Sequence, residues 1–275
     1  MIAHTAILDV PRELAQYLSR LLAARRRVLG TRRSSRALTC YKHAVLGLRW
    51  FRQDADITAL GRDNGISRAT SYRYIDEVIA VLAEQAPDLH EVIAQALTDK
   101  LPYVILDGKV YSADRCGAKT TSVKGELIDL WYSGKAHEQG GNIQALSAPN
   151  GFPLWVSDVE PGSVHDLTAA NTHVLGALYA AAAHGLPTLA DSGYDGTGIG
   201  VHTPIKHPSK NHHLHPDNRT YNALLRGLRA LGERGFAVLT GRWRTLHHIT
   251  ASPSKIGHIV KAALVLTHFE HGKIT

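Results

Sequence analysis

Tyr103-Val104-Ile105-Leu106-Asp107-Gly108 decides the fold of this chain. A short run of apolar, mostly β-favouring residues that ends in a breaker has the length of a buried central strand, not of a helix. The run delivers an aspartate to the end of that strand. A carboxylate adds nothing to packing there, and Asp-Gly is also ordinary turn chemistry. It becomes useful where the strand end needs hard oxygen ligands, as for a divalent cation.

The residues that follow build outward from this strand. Asn142 to Ser147 and Pro153 to Val159 read as two strands around Ala148-Pro149-Asn150-Gly151, and Asn-Gly between apolar runs is a strong hairpin signal. Pro161-Gly162-Ser163-Val164-His165-Asp166 is a loop that ends at a helix start, and Leu167 to His184 reads as one helix. Leu186-Pro187-Thr188-Leu189-Ala190-Asp191 then repeats the opening pattern, an apolar run closed by an aspartate. Val201 to Lys206 is a further strand. Strand, hairpin, helix, strand, helix is the order of an RNase H-like core, an α/β fold with a mixed sheet flanked by helices. Neighbouring strands lie roughly 5 Å apart, so two strand-end carboxylates can share a metal.

A third acid, Glu233, falls on a long Arg-rich helix that starts at Asp217 or Asn218 and runs to about Leu239. On a straight helix Glu233 shares a face with Arg226 and Arg229, away from Leu224, Leu228 and Leu231. For Glu233 to meet the aspartates, either the helix bends near Gly232 and Gly235 or the leucines pack elsewhere. Lys109 shares a side with Asp107 if the first strand continues. Asp114, Asp158, Glu160 and Asp166 read as turn or surface acids. Ser254 to Phe269 is a final amphipathic helix.

The N-terminal part is helical throughout. Pro11 to Gly30 carries a leucine stripe and ends in Arg25-Arg26-Arg27, followed by Arg32-Arg33. That basic run suits either the helix dipole or phosphate contact. Leu38 to Phe51 is a second helix. Asp56 to Asn64 is a short helix, Gly65-Ile66-Ser67 a tight turn, and Arg68 to Leu82 a longer helix that Ser67 can cap. This is a helix-turn-helix pattern, with an ordinary helical hairpin as the competing reading. Tyr72, Ile75, Ile79 and Leu82 are expected to face the core. Arg68, Thr70, Ser71, Arg73 and Tyr74 are expected to face outward, near the end that enters a DNA major groove. After the break at Pro87-Asp88, His90 to Thr98 reads as one more helix. The expected organisation is a helical DNA-binding domain over 1–95 and an RNase H-like domain with a C-terminal helix over 96–275.

Composition agrees. The chain has 275 residues, 44% hydrophobic content and a net charge of +7, which favours a polyanionic partner such as nucleic acid. Its two cysteines form no pair motif, so a reducing compartment is expected. The densest part of its 17 histidines, Asn211-His212-His213-Leu214-His215, lacks the partners of a zinc site. No run has transmembrane length and no signal peptide is recognisable, so a cytoplasmic protein that avoids the membrane is expected.

Five stretches together are more specific. They are Leu106-Asp107-Gly108, Tyr132-Ser133-Gly134-Lys135, Pro161 to Asp166, Ala190-Asp191-Ser192-Gly193-Tyr194, and Leu231-Gly232-Glu233-Arg234-Gly235-Phe236 followed by Gly241-Arg242-Trp243-Arg244. In this order the chain resembles DDE-type insertion-sequence transposases of the group related to eukaryotic Harbinger elements. The resemblance implies a catalytic, metal-holding triad of Asp107, Asp191 and Glu233, with two Mg²⁺ or Mn²⁺ ions, and a supporting role for His165 and Asp166. It further implies double-stranded DNA as partner (terminal inverted repeats and target DNA), homo-oligomers on DNA, and a bacterial, nucleoid-associated protein. The alternative is a catalytically degenerate relative that acts as a DNA-binding regulator. A phosphodiesterase of small substrates would leave the helix-turn-helix idle.

Overall fold

The structure is a computed structural model that describes residues 7–32, 35–122, 124–207 and 213–274, with the backbone alone at Glu233. Arg33, Asn211 and His212 lie outside the described residues. The chain forms two compact units: Met1–Ala86 with Leu239–His247 and His258–Thr275, and Pro87–Val238 with His248–Gly257. The boundary therefore falls at residue 86 instead of 95, and the C-terminal helix belongs mostly to the first unit. Nor is helix α5 (Leu89–Thr98) part of the N-terminal unit, because its Leu89, Ile93 and Ala96 bury against Val104 and Leu106. The break at Pro87-Asp88 is the boundary itself, and Asp88 caps α5 by accepting from the His90 and Glu91 amides.

Preceding α5 are α1 (Arg12–Val28), α2 (Cys40–Gln53), α3 (Ile57–Asp63) and α4 (Arg68–Ala83). After it come strands β1 (Val104–Ser112), β2 (Lys119–Thr121), β3 (Leu127–Asp129), β4 (Tyr132–Ser133), β5 (Glu138–Ser147), β6 (Pro153–Val156) and β7 (Glu160–Pro161). Helices α6 (Asp166–His173) and α7 (Leu175–Ala183) lead to β8 (Thr188–Leu189) and β9 (Val201–His202). The remaining helices are α8 (Pro216–Arg229), α9 (Glu233–Arg242) and α10 (Ile256–Glu270).

In the sheet unit β1 is central. It pairs antiparallel with β5, from Ile105↔Ser147 to Ser112↔Gly140, and parallel with β8 at Val104↔Thr188 and Ile105↔Leu189. β6 pairs β5 on its far side and β9 pairs β8 in parallel, so the path β6-β5-β1-β8-β9 is consistent with an RNase H-like core. Because β1 runs on to Ser112, Asp107 lies in mid-strand and not at a strand end. Side chains alternate along it. Val104 and Leu106 pack into the cluster of α5, α6 and α7, while Ile105 and Tyr111 face the other way.

Two expected helices are each broken. The first divides into α6 and α7 at buried Val174, whose φ of −140° is not helical. The second divides into α8 and α9, and Gly232 comes down onto Ile105 in the gap. Leu224, Leu228 and Leu231 are exposed, so the leucine stripe does not dock that helix on the sheet; buried Leu225 does the packing on α8. Of the histidine-rich run, His215 serves as a cap that accepts from the Asp217 amide. Among the described residues no helix is long and apolar enough to cross a membrane.

The helical unit is capped as its sequence expects: Thr39, Asp56 and Ser67 accept from the amides of Lys42, Ala59 and Thr70. Gly65 takes φ +64° in the turn between α3 and α4, a conformation that favours glycine. The face of α4 differs from the expected one. Ser71 and Tyr74 are 0% and 3% exposed, while Tyr72 is 43% exposed. Positions 71 and 74 share the core face with Ile75, Val78 and Leu82, and the small Ser71 lets α4 close on Gly61. Arg68, Arg73 and Tyr72 are the exposed members, Thr70 is half-buried, and the Arg68 guanidinium lies 5.6 Å from the Tyr72 ring centre. Within the basic run, Arg25 pairs with Glu84 at 2.9 Å and Arg26 donates to the Leu38 carbonyl, so both have work inside the fold.

Buried His43 links α2 to α4. One ring nitrogen is 2.8 Å from the Tyr74 carbonyl and the other 3.3 Å from an Arg26 guanidinium nitrogen. A carbonyl only accepts and a guanidinium only donates, so the neutral imidazole with Nε2–H satisfies both. Desolvation, aided by the Arg26 and Arg36 charges, lowers the His43 pKa to about 4. A histidine whose folded pKa lies below its unfolded value binds fewer protons when folded, so stability falls as pH drops below the unfolded value near 6.5 and stops falling near 4. Acidification from pH 7 to 5 is expected to destabilise this unit by about 2 kcal/mol. The check is an imidazole NMR titration: a His43 midpoint above pH 6 would contradict the assignment.

Candidate active site

Asp107 lies within β1, and Asp191 lies just past the end of the adjacent strand β8. The parallel register pairs Ile105 with Leu189, and each aspartate stands two residues beyond its member of that pair. Asp191 opens a tight 3-10 turn, Ser192–Tyr194, by accepting from the Gly193 amide at 2.7 Å. Asp107 accepts from the Gly108 amide at 3.0 Å. Burial pushes the Asp107 pKa up to about 6; Arg229 opposes the rise, and the charges of Asp191 and Asp166 add to it. Lys109 forms no ion pair with Asp107 among the described residues; its ammonium lies 5.6 Å from the Tyr111 ring centre.

The other side of β1 carries a polar network that the sequence reading missed. A β-carbon at Gly108 would stand 2.7 Å from Asp166 Oδ1 and 2.8 Å from both Gln144 Nε2 and Tyr194 Oη. Glycine is thus required for three polar groups to converge on the strand. Tyr194 Oη donates to Gln144 Oε1 at 2.6 Å, Gln144 Nε2 donates to Asn142 Oδ1 at 2.9 Å, and Asn142 Nδ2 donates to Asp166 Oδ1 at 2.8 Å. The Lys135 ammonium donates to Asp166 Oδ2 at 2.6 Å. That bond raises the Lys135 pKa, and the more distant Asp191 and Asp107 also favour its charge. Asp166, read from sequence as a turn or surface acid, has a side chain only 10% exposed. The available signal was in β5, where two amides at alternate positions of a buried strand share one face.

Glu233 is the first residue of α9, and its side chain lies outside the described residues. Its neighbours locate that helix start: Gly232 lies against Ile105 and Gly235 against Ser147, which are register partners on β1 and β5. Phe236 follows, edge-on to Tyr111 at 6.1 Å. The helix therefore covers the strand face that carries Asp107. Of the expected DNA-reading residues, Arg68, Thr70, Ser71, Arg73 and Tyr74 are all on α4, in the other unit, and Ser71 and Tyr74 are buried there.

The donor set fits a hard divalent cation. Asp107 and Asp191 offer carboxylate oxygens, and a cation would offset the burial of the Asp107 charge that pushes its pKa up. Among the described residues, no three His, Cys, Asp or Glu side chains meet as a closed site. A raised folded pKa means that ionised Asp107 opposes folding at pH 8, and the penalty fades as pH falls through 6 towards 3.8. Asp107→Asn is therefore expected to stabilise the metal-free protein by about 3 kcal/mol at pH 8 and by little at pH 4. Urea unfolding in EDTA checks this, and equal stability of both proteins at pH 8 would refute it.

The family described as DDE superfamily endonuclease matches residues 114–268, more than half of the chain. The span contains Asp166, Asp191 and Glu233 and begins beyond Asp107. Endonucleases of this superfamily generally use divalent metals. No curated protein and no solved structure matches the chain. With the family covering most of the sheet unit, including the Asp191 turn and the network behind it, the chain belongs to the DDE superfamily endonucleases.

Proposed function

We propose that this protein is a DNA transposase that cleaves element ends and transfers the freed strand by in-line phosphoryl transfer. The observation that supports this reading is the register of β1 and β8, from whose last pair, Ile105 and Leu189, the half-buried Asp107 and Asp191 each lie two residues on. In this reading Asp107, Asp191 and Glu233 hold Mg²⁺ or Mn²⁺, two ions in the full site. When bound, the cations polarise the phosphate and increase the acidity of water. A water oxygen attacks phosphorus, the bridging P–O bond breaks, and a 3′-hydroxyl is released. That hydroxyl then attacks a phosphodiester of the target. Asp166, fixed by Asn142, holds Lys135, whose charge the two aspartates favour.

In the same reading, the α3-turn-α4 segment is a helix-turn-helix that binds terminal repeats, with homo-oligomers forming on DNA. Arg68, Arg73 and Thr70 remain its contact residues; Tyr72 takes the place of Ser71 and Tyr74, which are buried. The second reading, a regulator that binds DNA without cutting, is favoured by two cations whose charges already bear on these carboxylates, Arg229 on Asp107 and Lys135 on both aspartates.

DNA flanking the protein's own reading frame is the substrate for the test. Asp107→Asn, Asp191→Asn and Glu233→Gln are each expected to reduce Mg²⁺-dependent cleavage at least about a hundredfold while DNA binding persists, since lost metal stabilisation removes several kcal/mol. Cutting at near wild-type rate by either aspartate variant would remove that residue from the site. No cutting by the wild type, with specific binding intact, would favour the regulator. Separately, Arg68→Ala and Arg73→Ala are expected to narrow the affinity gap between terminal-repeat and random DNA. An equal loss on both DNAs would mean backbone contact alone.

A further inference from the structure

Two sequence stretches, Tyr132 to Lys135 and Pro161 to Asp166, contribute more than the Lys135 and Asp166 side chains. In the structure they meet, tied by the Lys135–Asp166 ion pair, and line one cavity of about 330 Å³. Val110, Ile128 and Val164 give it apolar walls, and Tyr132, 40% exposed, gives it an aromatic one. At its polar end stand exposed His165 and the Lys135 ammonium, whose side chain is 66% exposed.

We propose that this cavity receives one nucleotide displaced from a DNA helix, with its base against Tyr132 and its phosphate on Lys135. The inference rests on the DNA reading given above and adds a subsite to it. The chemistry selects the ligand in three ways. A base presents flat π-faces to apolar and aromatic walls, and stacking of this kind tolerates any base. A phosphate suits an ammonium that is solvent-exposed and held by a single carboxylate. A cavity near the lower end of small-ligand volumes takes one nucleotide and excludes a duplex. A free phosphate would leave most of the apolar wall uncovered. Position agrees with composition, because Lys135 also lies within the field of Asp107 and Asp191. Extrusion of a nucleotide is the general route by which proteins take a base out of its stack.

The test uses the full-length protein in EDTA, so that no strand is cut. Two duplexes of one sequence are compared, one with a single unpaired 2-aminopurine and one with an abasic residue at that place. The wild type is expected to bind the first about tenfold more tightly and to quench its fluorescence. In Tyr132→Ala the ratio falls towards one and the quench is lost, whereas Tyr132→Phe keeps both. Lys135→Gln weakens both duplexes and lowers the salt slope by about one. Equal wild-type affinity for the two duplexes, or a quench that survives Tyr132→Ala, overturns the pocket alone. Failure to bind any duplex overturns it together with the DNA reading.

Discussion

The pairing of β1 on both edges is the constraint on which the sheet unit depends. Its backbone groups are taken up by β5 on one side and β8 on the other, so the strand has no freedom to slide. A shift of one residue would turn Leu106 out of the core and Asp107 into it. Burial of Val104 and Leu106 against α5, α6 and α7 therefore holds the carboxylate in place, although neither leucine nor valine takes part in any chemistry. The same register sets Asp191 two residues beyond Leu189 of β8, as Asp107 lies two beyond Ile105. The raised Asp107 pKa is first the record of that carboxylate's own burial, to which the charge of Asp191 adds.

Both faces of β1 are closely covered, and glycines make this possible. Gly108 leaves room for Asp166, Gln144 and Tyr194 on one face. On the other, Gly232 and Gly235 bring the start of α9 down to Ile105 and Ser147. Because α8 and α9 are separate helices, the leucine stripe on α8 does not set the face of α9. The chain needs no bent continuous helix, because the two helices have separate faces.

Much of this was legible in the sequence because the signals were local. Apolar runs closed by aspartate, an Asn-Gly hairpin and capped helix starts each declare themselves within a few residues. What was hidden depends on long-range packing. On α4, Tyr72 and the pair Ser71 and Tyr74 fit helical periodicity equally well with Ile75, Ile79 and Leu82, and close approach to Gly61 decided between them. Val174 is apolar and gives no sign of ending a helix. Asp166 looks like a first-turn acid, and only the fold brings Asn142 and Lys135 to it. The helix after Pro87 reads as the end of one domain, yet its apolar face is complementary to β1 in the next.

The hydrogen bonds from Tyr194 to Asp166 have a single direction. Val164 O and the Asp166 carboxylate can only accept, so Asn142 must turn its amide nitrogen towards them. That leaves the Asn142 oxygen for Gln144, and the Gln144 oxygen for the tyrosine hydroxyl. Every donor along the string is aimed towards one carboxylate, which has two separate partners, a buried amide and an exposed ammonium. Asp166 therefore has a second bond, from Asn142, that does not depend on Lys135. The string is thus anchored inside the fold at one end and presents its carboxylate to an exposed cation at the other.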